Sequence, residues 1–424
     1  MIVDGRFASQ VAALRNQAGG VGQWLSHGDH IAGIDSVEDA MARASAQPRE
    51  DESPGALMLY TSGTTGSPRG VWRPLPSVAG QGAPTFAADL IALFRLDEQV
   101  RYLSTAPLYH AAPLRFALAI TAVGGIIHAL EKFEPEAALN AITEFGITHS
   151  QWVPTMFQRL LQLPAELRAG HSAPRHVMAL HAAAPCPAAI KRAMIEWWGP
   201  VLLEYYSGTE GVGLTMIDSA QWLAHPGSVG RSVKGVPHVV DGAGHELPAG
   251  QAGTIYFSGV APFEYFCDPQ KTALRTHAAG WQTLGDVGYL DADGYLYLTD
   301  RMDDMIISGG VNVYPQEIEA AILELTEVVD CAVVGAADAQ FGERPVAFVV
   351  VARGHAAEAV LERARAHCNA RLGRVKQPAQ FIAVESVPRT PTGKLLRRDL
   401  RASVQSMQPM QSMPSVEPGS GQHR

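Results

Sequence analysis

The residues best equipped for chemistry form one run, Tyr60-Thr61-Ser62-Gly63-Thr64-Thr65-Gly66-Ser67-Pro68-Arg69-Gly70. Its glycines let the backbone approach a ligand closely and present N–H groups. The hydroxyls add donors, and Arg69 adds a fixed cation suited to phosphate oxygens. Such a loop could cradle a polyphosphate. It lacks the Gly-Lys-Ser/Thr ending of a Walker A loop. The plain alternative is a turn of small polar residues.

Further words follow along the chain. Tyr205-Tyr206-Ser207-Gly208-Thr209-Glu210-Gly211 offers an aromatic face for a planar base and a hard carboxylate oxygen for Mg²⁺. Asp286 lies in Trp281–Gly288, and Arg301 closes Tyr295–Arg301. Ser308-Gly309-Gly310 sits between apolar residues, which also reads as a hairpin turn. Lys394 follows Gly393 in Pro388–Leu395. Two softer segments carry His110 (Ala106–Pro113) and Ala183 (His181–Pro185). Taken singly, Asp286 reads equally as a turn residue, Arg301 and Lys394 as surface charges, and His110 as a satisfied core or surface histidine.

In this order and spacing, from about residue 55 to 402, the words resemble those of the acyl-adenylate-forming superfamily, which includes acyl-CoA synthetases, firefly-type luciferases and peptide-synthetase adenylation domains. The resemblance implies ATP, Mg²⁺ and coenzyme A as cofactors and a small-molecule carboxylic acid as substrate. It implies that Thr61, Ser62, Gly63, Thr64, Thr65, Gly66 and Arg69 embrace the β- and γ-phosphates. Tyr206 would stack on adenine with Ala183 nearby, Thr209 would hold the α-phosphate, and Glu210 would hold the metal. Asp286 would bind the ribose hydroxyls, and Arg301 the ribose or phosphate. Gly309 and Gly310 would line the pantetheine tunnel after rotation about Asp303. Lys394, His110, Thr65 and Glu210 are the residues that it assigns to catalysis.

The chemistry is coherent. A carboxylate is already ionised at neutral pH, so no general base is needed to create the nucleophile. The obstacle is bringing one anion to another, which charge neutralisation and positioning overcome. Words near His110 and Asp303 are closest to bacterial fatty-acyl or steroid-side-chain CoA ligases. Ala111, Ala112 and Ala182–Ala184 would leave room for a bulky acyl group.

Two departures stand out. The family usually has Lys where this chain has Arg69, which keeps the charge but presents a fork. It also usually has about a hundred residues ahead of the phosphate loop, which begins here near residue 61. The sequence therefore leads one to expect apolar sheet faces without cover. A weak or inactive shortened homologue needing a partner, or an enzyme loading a carrier protein, are the alternative readings.

The elements that must position these residues follow a strand–helix rhythm. Apolar runs such as Ile147–Val153 and Val201–Tyr205 alternate with helical patterns such as Glu136–Phe145 and Ala188–Trp197. This predicts an α/β fold: a large N-terminal domain of parallel sheets with helices (1–301) and a small β-barrel-like subdomain, then a compact, mobile α+β C-terminal domain (302–402). Ala56–Tyr60 reads as a buried strand feeding the loop, Ile34–Ala44 as a helix, and 403–424 as a disordered tail.

Composition narrows the class. In 424 residues, 47% are hydrophobic and 18% charged, enough for a large core and too apolar for global disorder. A net charge of -9 without a basic stripe argues against a nucleic-acid partner. Cys186, Cys267, Cys331 and Cys368 are too scattered for a zinc ribbon or a disulfide framework, as expected in a reducing cytoplasm. The N-terminus lacks the apolar core of a signal peptide, and Phe116–Leu130 is too short for a transmembrane segment. A homodimer is compatible with all of this.

Overall fold

The computed structural model describes residues 1–47, 56–61, 69–74, 85–390 and 393–407. Two compact units emerge, one of residues 1–54 with 76–80 and one of the rest. The first contains a three-stranded parallel sheet (Ile2–Asp4, Leu25–His27, Asp35–Ser36) and two helices, Ala8–Gln17 and Val37–Arg43. The Ser36 side chain caps the second helix by accepting from the Asp39 N–H, as its place before an acidic first turn predicts.

The second unit is built on a seven-stranded sheet. Its parallel strands are Arg101–Ser104, Ile126–Ala129, His149–Trp152, Met178–His181 and Leu202–Tyr206. Leu214–Asp218 and Arg231–Lys234 extend it antiparallel. Alternation along each strand sends apolar residues to both faces. Leu103, Ala179 and Leu202 pack with Leu139, Phe157 and Met194 of one helix layer. Tyr102, Leu180 and Tyr205 pack with Phe94 and Phe116 from the helices Thr85–Phe94 and Ala111–Ala122. The expectation of uncovered faces is thus corrected for these strands: helices from within residues 85–198 cover both sides.

Two smaller sheets share one core. The antiparallel sheet of Val236–Val240, Gly253–Ser258, Asp286–Leu290 and Leu296–Arg301 contributes Ile255, Phe257 and Leu296. The sheet of Leu59–Thr61, Arg69–Trp72 and Glu264–Tyr265 contributes Val71 and Tyr265. The strand expected over Ala56–Tyr60 is shorter than the apolar run suggests. It starts at Leu59, and Tyr60 is 63% exposed, because the strand lies at the sheet edge.

From Ile306 onward a five-stranded sheet packs against the helices Pro315–Ile322, Ala357–Arg371 and Arg397–Met407. The long strands Val328–Asp338 and Gly342–Val351 form its centre, with separate apolar clusters on either side. The helix Arg397–Met407 runs past residue 403, where the sequence suggested a tail. Leu400 and Val404, one turn apart, are buried against the sheet and hold it there. The remainder of that tail, 408–424, lies outside the described residues.

Candidate active site

The strand Leu202–Tyr206 delivers Tyr206 to the carboxyl end of the parallel sheet, where open α/β sheets bind ligands. The Tyr206 hydroxyl donates to Asp286 Oδ2 at 2.7 Å. Asp286 Oδ1 lies 3.1 Å from Arg301 Nε, and the two residues face each other across adjacent strands. Burial, then the Asp286 carboxylate, pushes the Tyr206 phenol well above its ordinary pKa. The same carboxylate raises that of Arg301. Three residues far apart in sequence thus form one chain.

Glu210 stands on the turn after Tyr206. Its Oε1 accepts from the Tyr265 hydroxyl at 2.8 Å. Burial first, then Glu210, raises the Tyr265 phenol to about 12. The other Glu210 oxygen retains acceptor capacity, and Mg²⁺ commonly takes one or two carboxylates together with substrate phosphates. The donor set therefore fits that ion.

Thr61 and Arg69, which stand on either side of the phosphate-loop residues 62–68, are paired on adjacent antiparallel strands. Arg69 places its guanidinium 5.4 Å from the centroid of the Tyr265 ring, whose hydroxyl holds Glu210. Ser62, Gly63, Thr64, Thr65 and Gly66 lie outside the described residues.

Lys394 arrives from the C-terminal part of the chain. Arg389 fixes its turn by gripping Asp330 at 2.8 and 2.9 Å and by donating to the Gly393 carbonyl. A Cβ at Gly393, whose φ is +76°, would stand 2.7 Å from Thr155 Oγ1, so only glycine fits against the neighbouring helix. Burial, then Arg301, lowers the Lys394 ammonium pKa to about 8, against the pull of Glu210, Asp304 and Asp286. Lys394, Arg301, Asp286, Glu210 and Tyr206 are accordingly one electrostatic group.

His110 is the N-cap residue of the helix Ala111–Ala122; its ring packs on Tyr109, and its buried Nε2 has no hydrogen-bond partner. Burial lowers its pKa. Ala183 has φ +77°, a left-handed conformation that a non-glycine residue adopts at a cost and that recurs at ligand sites. Thr209 uses its carbonyl to accept from Arg115. Gly309 and Gly310 form the two-residue turn of the hairpin Ile306–Ser308/Val311–Val313, both with positive φ, and the Gly309 N–H donates to the Phe341 carbonyl. The hairpin reading of this word is therefore what the structure contains.

Sequence reasoning missed several neighbours. Tyr265, Arg73 and Arg115 all touch the Thr209–Glu210 turn, yet they stand 55, 137 and 94 residues from their partners in it. It also missed an ionic cluster behind Arg301. Asp300 accepts from the N–H groups of Arg301 and Gln316, and burial raises its pKa to about 6. Arg397 grips both Glu319 oxygens at 2.7 and 2.8 Å and reaches Asp304 at 3.2 Å. Burial disfavours its charge, but these carboxylates outweigh that and raise its pKa.

The architecture is that of an adenylate-forming enzyme. The chain belongs to the AMP-binding enzyme family, matching it over residues 8–265 and its C-terminal domain over residues 317–394. It is 32% identical over 407 residues to the long-chain-fatty-acid–CoA ligase FadD13 of Mycobacterium tuberculosis, covering 93% of this chain and 76% of that protein. It is 33% identical to the 2-succinylbenzoate–CoA ligase of Enterococcus faecalis, over 83% of this chain and 70% of that protein. Among solved structures, ATP-bound MatB from Rhodopseudomonas palustris superposes with a TM-score of 0.80 at 30% identity, covering 95% of this chain and 78% of that one. Among the described residues, no helix is long and apolar enough to cross a membrane.

Proposed function

We propose that this protein activates a carboxylic acid with ATP and transfers the acyl group to coenzyme A. The observation that carries the reading is the hydrogen-bonded chain Tyr206–Asp286–Arg301, with Glu210 on the turn after Tyr206 and Lys394 near enough to interact with Arg301, Glu210 and Asp286. The named relatives, all CoA ligases, support the same reaction with differing acids.

In the first step a carboxylate oxygen attacks the α-phosphorus of ATP, the bond to the β-phosphate breaks, and pyrophosphate leaves. Tyr206 and Ala183 bound the adenine, Asp286 and Arg301 take the ribose, Thr209 takes the α-phosphate, and the Thr61–Gly70 loop takes the outer phosphates. Glu210 would hold Mg²⁺, which when bound neutralises phosphate charge. Lys394 sits between the two reacting anions and screens their repulsion. In the second step the thiol sulfur attacks the acyl carbon, the carbon–oxygen bond to AMP breaks, and the thiol proton passes to solvent. The C-terminal domain, 302–402, turns about Asp303 to exchange Lys394 for the Gly309–Gly310 hairpin. His110 and the alanines beside it bound the acyl group, which we read as fatty or otherwise bulky. The reaction takes place in the cytoplasm.

Carboxylate-dependent ATP–pyrophosphate exchange tests the reading. Purified protein should exchange with at least one member of a broad acid panel, and Lys394→Ala should lower the rate by about a hundredfold or more. Folded wild-type protein that exchanges with no acid would remove the enzymatic reading. Thioester formation with CoA, compared with a carrier protein, identifies the acceptor.

A further inference from the structure

Beneath the turn that carries Thr209, Glu210 and Gly211 lie two arginines that the proposed reaction does not use. Arg73 Nη2 donates to the Glu210 carbonyl at 2.6 Å, and Arg115 Nη2 donates to the Thr209 carbonyl at 3.1 Å. Both side chains are partly buried, and Arg115 Nε is buried with no hydrogen-bond partner. Among the described residues, no carboxylate lies within ion-pair distance of either guanidinium. A carbonyl dipole accepts a hydrogen bond but does not neutralise a charge. Two partly buried cations without an ion-pair partner are unfavourable, and burial together with repulsion from Arg73 lowers the pKa of Arg115. Glu210 attracts Arg115, but Tyr265 and the proposed metal site already claim its oxygens.

The position of the pair indicates which anion completes it. Tyr206, Asp286 and Arg301 form one hydrogen-bonded chain in which neither arginine of the pair takes part. The arginine pair instead holds the backbone of the Thr209–Glu210 turn, whose Glu210 carboxylate meets Tyr265. Arg115 also projects from the helix capped by His110, beside Ala111 and Ala112, the segment assigned above to the acyl pocket.

We propose that Arg73 and Arg115 form an oxyanion subsite of the acyl pocket, so that the acid activated here carries a second anionic group, a carboxylate or sulfonate, besides the one adenylated. The inference rests on the acid-activating reading of the site. A guanidinium fork matches either group with paired hydrogen bonds. The second anion would supply the missing counter-charge and disfavour plain monoacids by leaving the pair unsatisfied, which among the acyl groups read above selects a bulky anionic one over a plain fatty one.

The test compares straight-chain monocarboxylic acids with dicarboxylic acids of equal carbon number in pyrophosphate exchange, using wild type, Arg73→Met, Arg115→Met and Arg115→Lys. Wild type should prefer a diacid in kcat/KM at some chain length. Each Met variant should reduce that preference at least tenfold through KM for the acid, with Arg115→Lys between. A wild-type preference for monoacids at every length overturns the proposal. So does a rise in KM for ATP with the acid preference unchanged, which would assign the pair to the outer phosphates. Circular dichroism separates loss of fold from loss of preference, and the wild-type comparison needs no variant. Exchange with no acid at all defeats the underlying activity instead, an outcome distinct from a monoacid preference.

Discussion

Lys394 concentrates the chemistry at the scale of single residues. Its pKa of about 8 follows from burial and Arg301. The proposed role needs the protonated amine, so kcat/KM for adenylation should hold below that pH and fall as pH rises through it. Lys394→Arg should move the fall to higher pH, because guanidinium stays charged. A profile unchanged by this substitution would dissociate Lys394 from the pH limb. The residues in the ordered words were legible because chemistry fixed both their type and their spacing. Arg73, Arg115 and Tyr265 were not, since each acts through a partner on a distant segment. Arg115 nevertheless stands two residues beyond the Ala106–Pro113 word, and a charged residue in the otherwise apolar Ala111–Ala122 was the available signal.

Between elements, the ionic cluster behind Arg301 joins the strand Leu296–Arg301 to the helices Pro315–Ile322 and Arg397–Met407. Asp300 is 1% exposed, and its carboxyl pKa is raised from 3.8 to about 6. A folded-state pKa above the unfolded one means that the folded protein binds the proton more tightly. The associated stability is present below pH 3.8 and is lost as pH rises through about 6. Wild type should therefore lose up to about 3 kcal/mol relative to Asp300→Asn between pH 4 and pH 7. Denaturant titrations of both proteins at those pH values measure this, and parallel pH dependences would contradict it. The parallel strands and their helices were legible from alternating apolar runs. The terminal helix was overlooked because its apolar contact is narrow, with Leu400 and Val404 set among charged and polar residues.

Across the whole chain, the apolar clusters divide cleanly. Among the described residues, those drawn from residues 71 to 298 share no member with those drawn from 306 to 404, and a separate small cluster of Val11, Ile31 and Ile34 belongs to the first unit. Separate cores unfold with partial independence. Calorimetry should therefore give a total enthalpy above the van't Hoff value, with ATP shifting the components unequally. One transition with equal enthalpies would show the cores to be coupled. The sequence places a domain boundary near residue 301, between the two groups of clusters, whereas the compact units divide at residue 54. The three-stranded sheet of the first unit was not visible, because its strands are only two or three residues long and carry no alternating run.

The Tyr206–Asp286–Arg301 chain has a consequence for how tightly a nucleotide can be held. Each Asp286 oxygen faces one donor of the protein and keeps a further lone pair, so in the proposed site a ribose hydroxyl would share the carboxylate with the Tyr206 phenol and the Arg301 guanidinium. On the proposed reading, the phenol and the guanidinium fix the orientation of that carboxylate before a nucleotide arrives, so binding costs no side-chain freedom there.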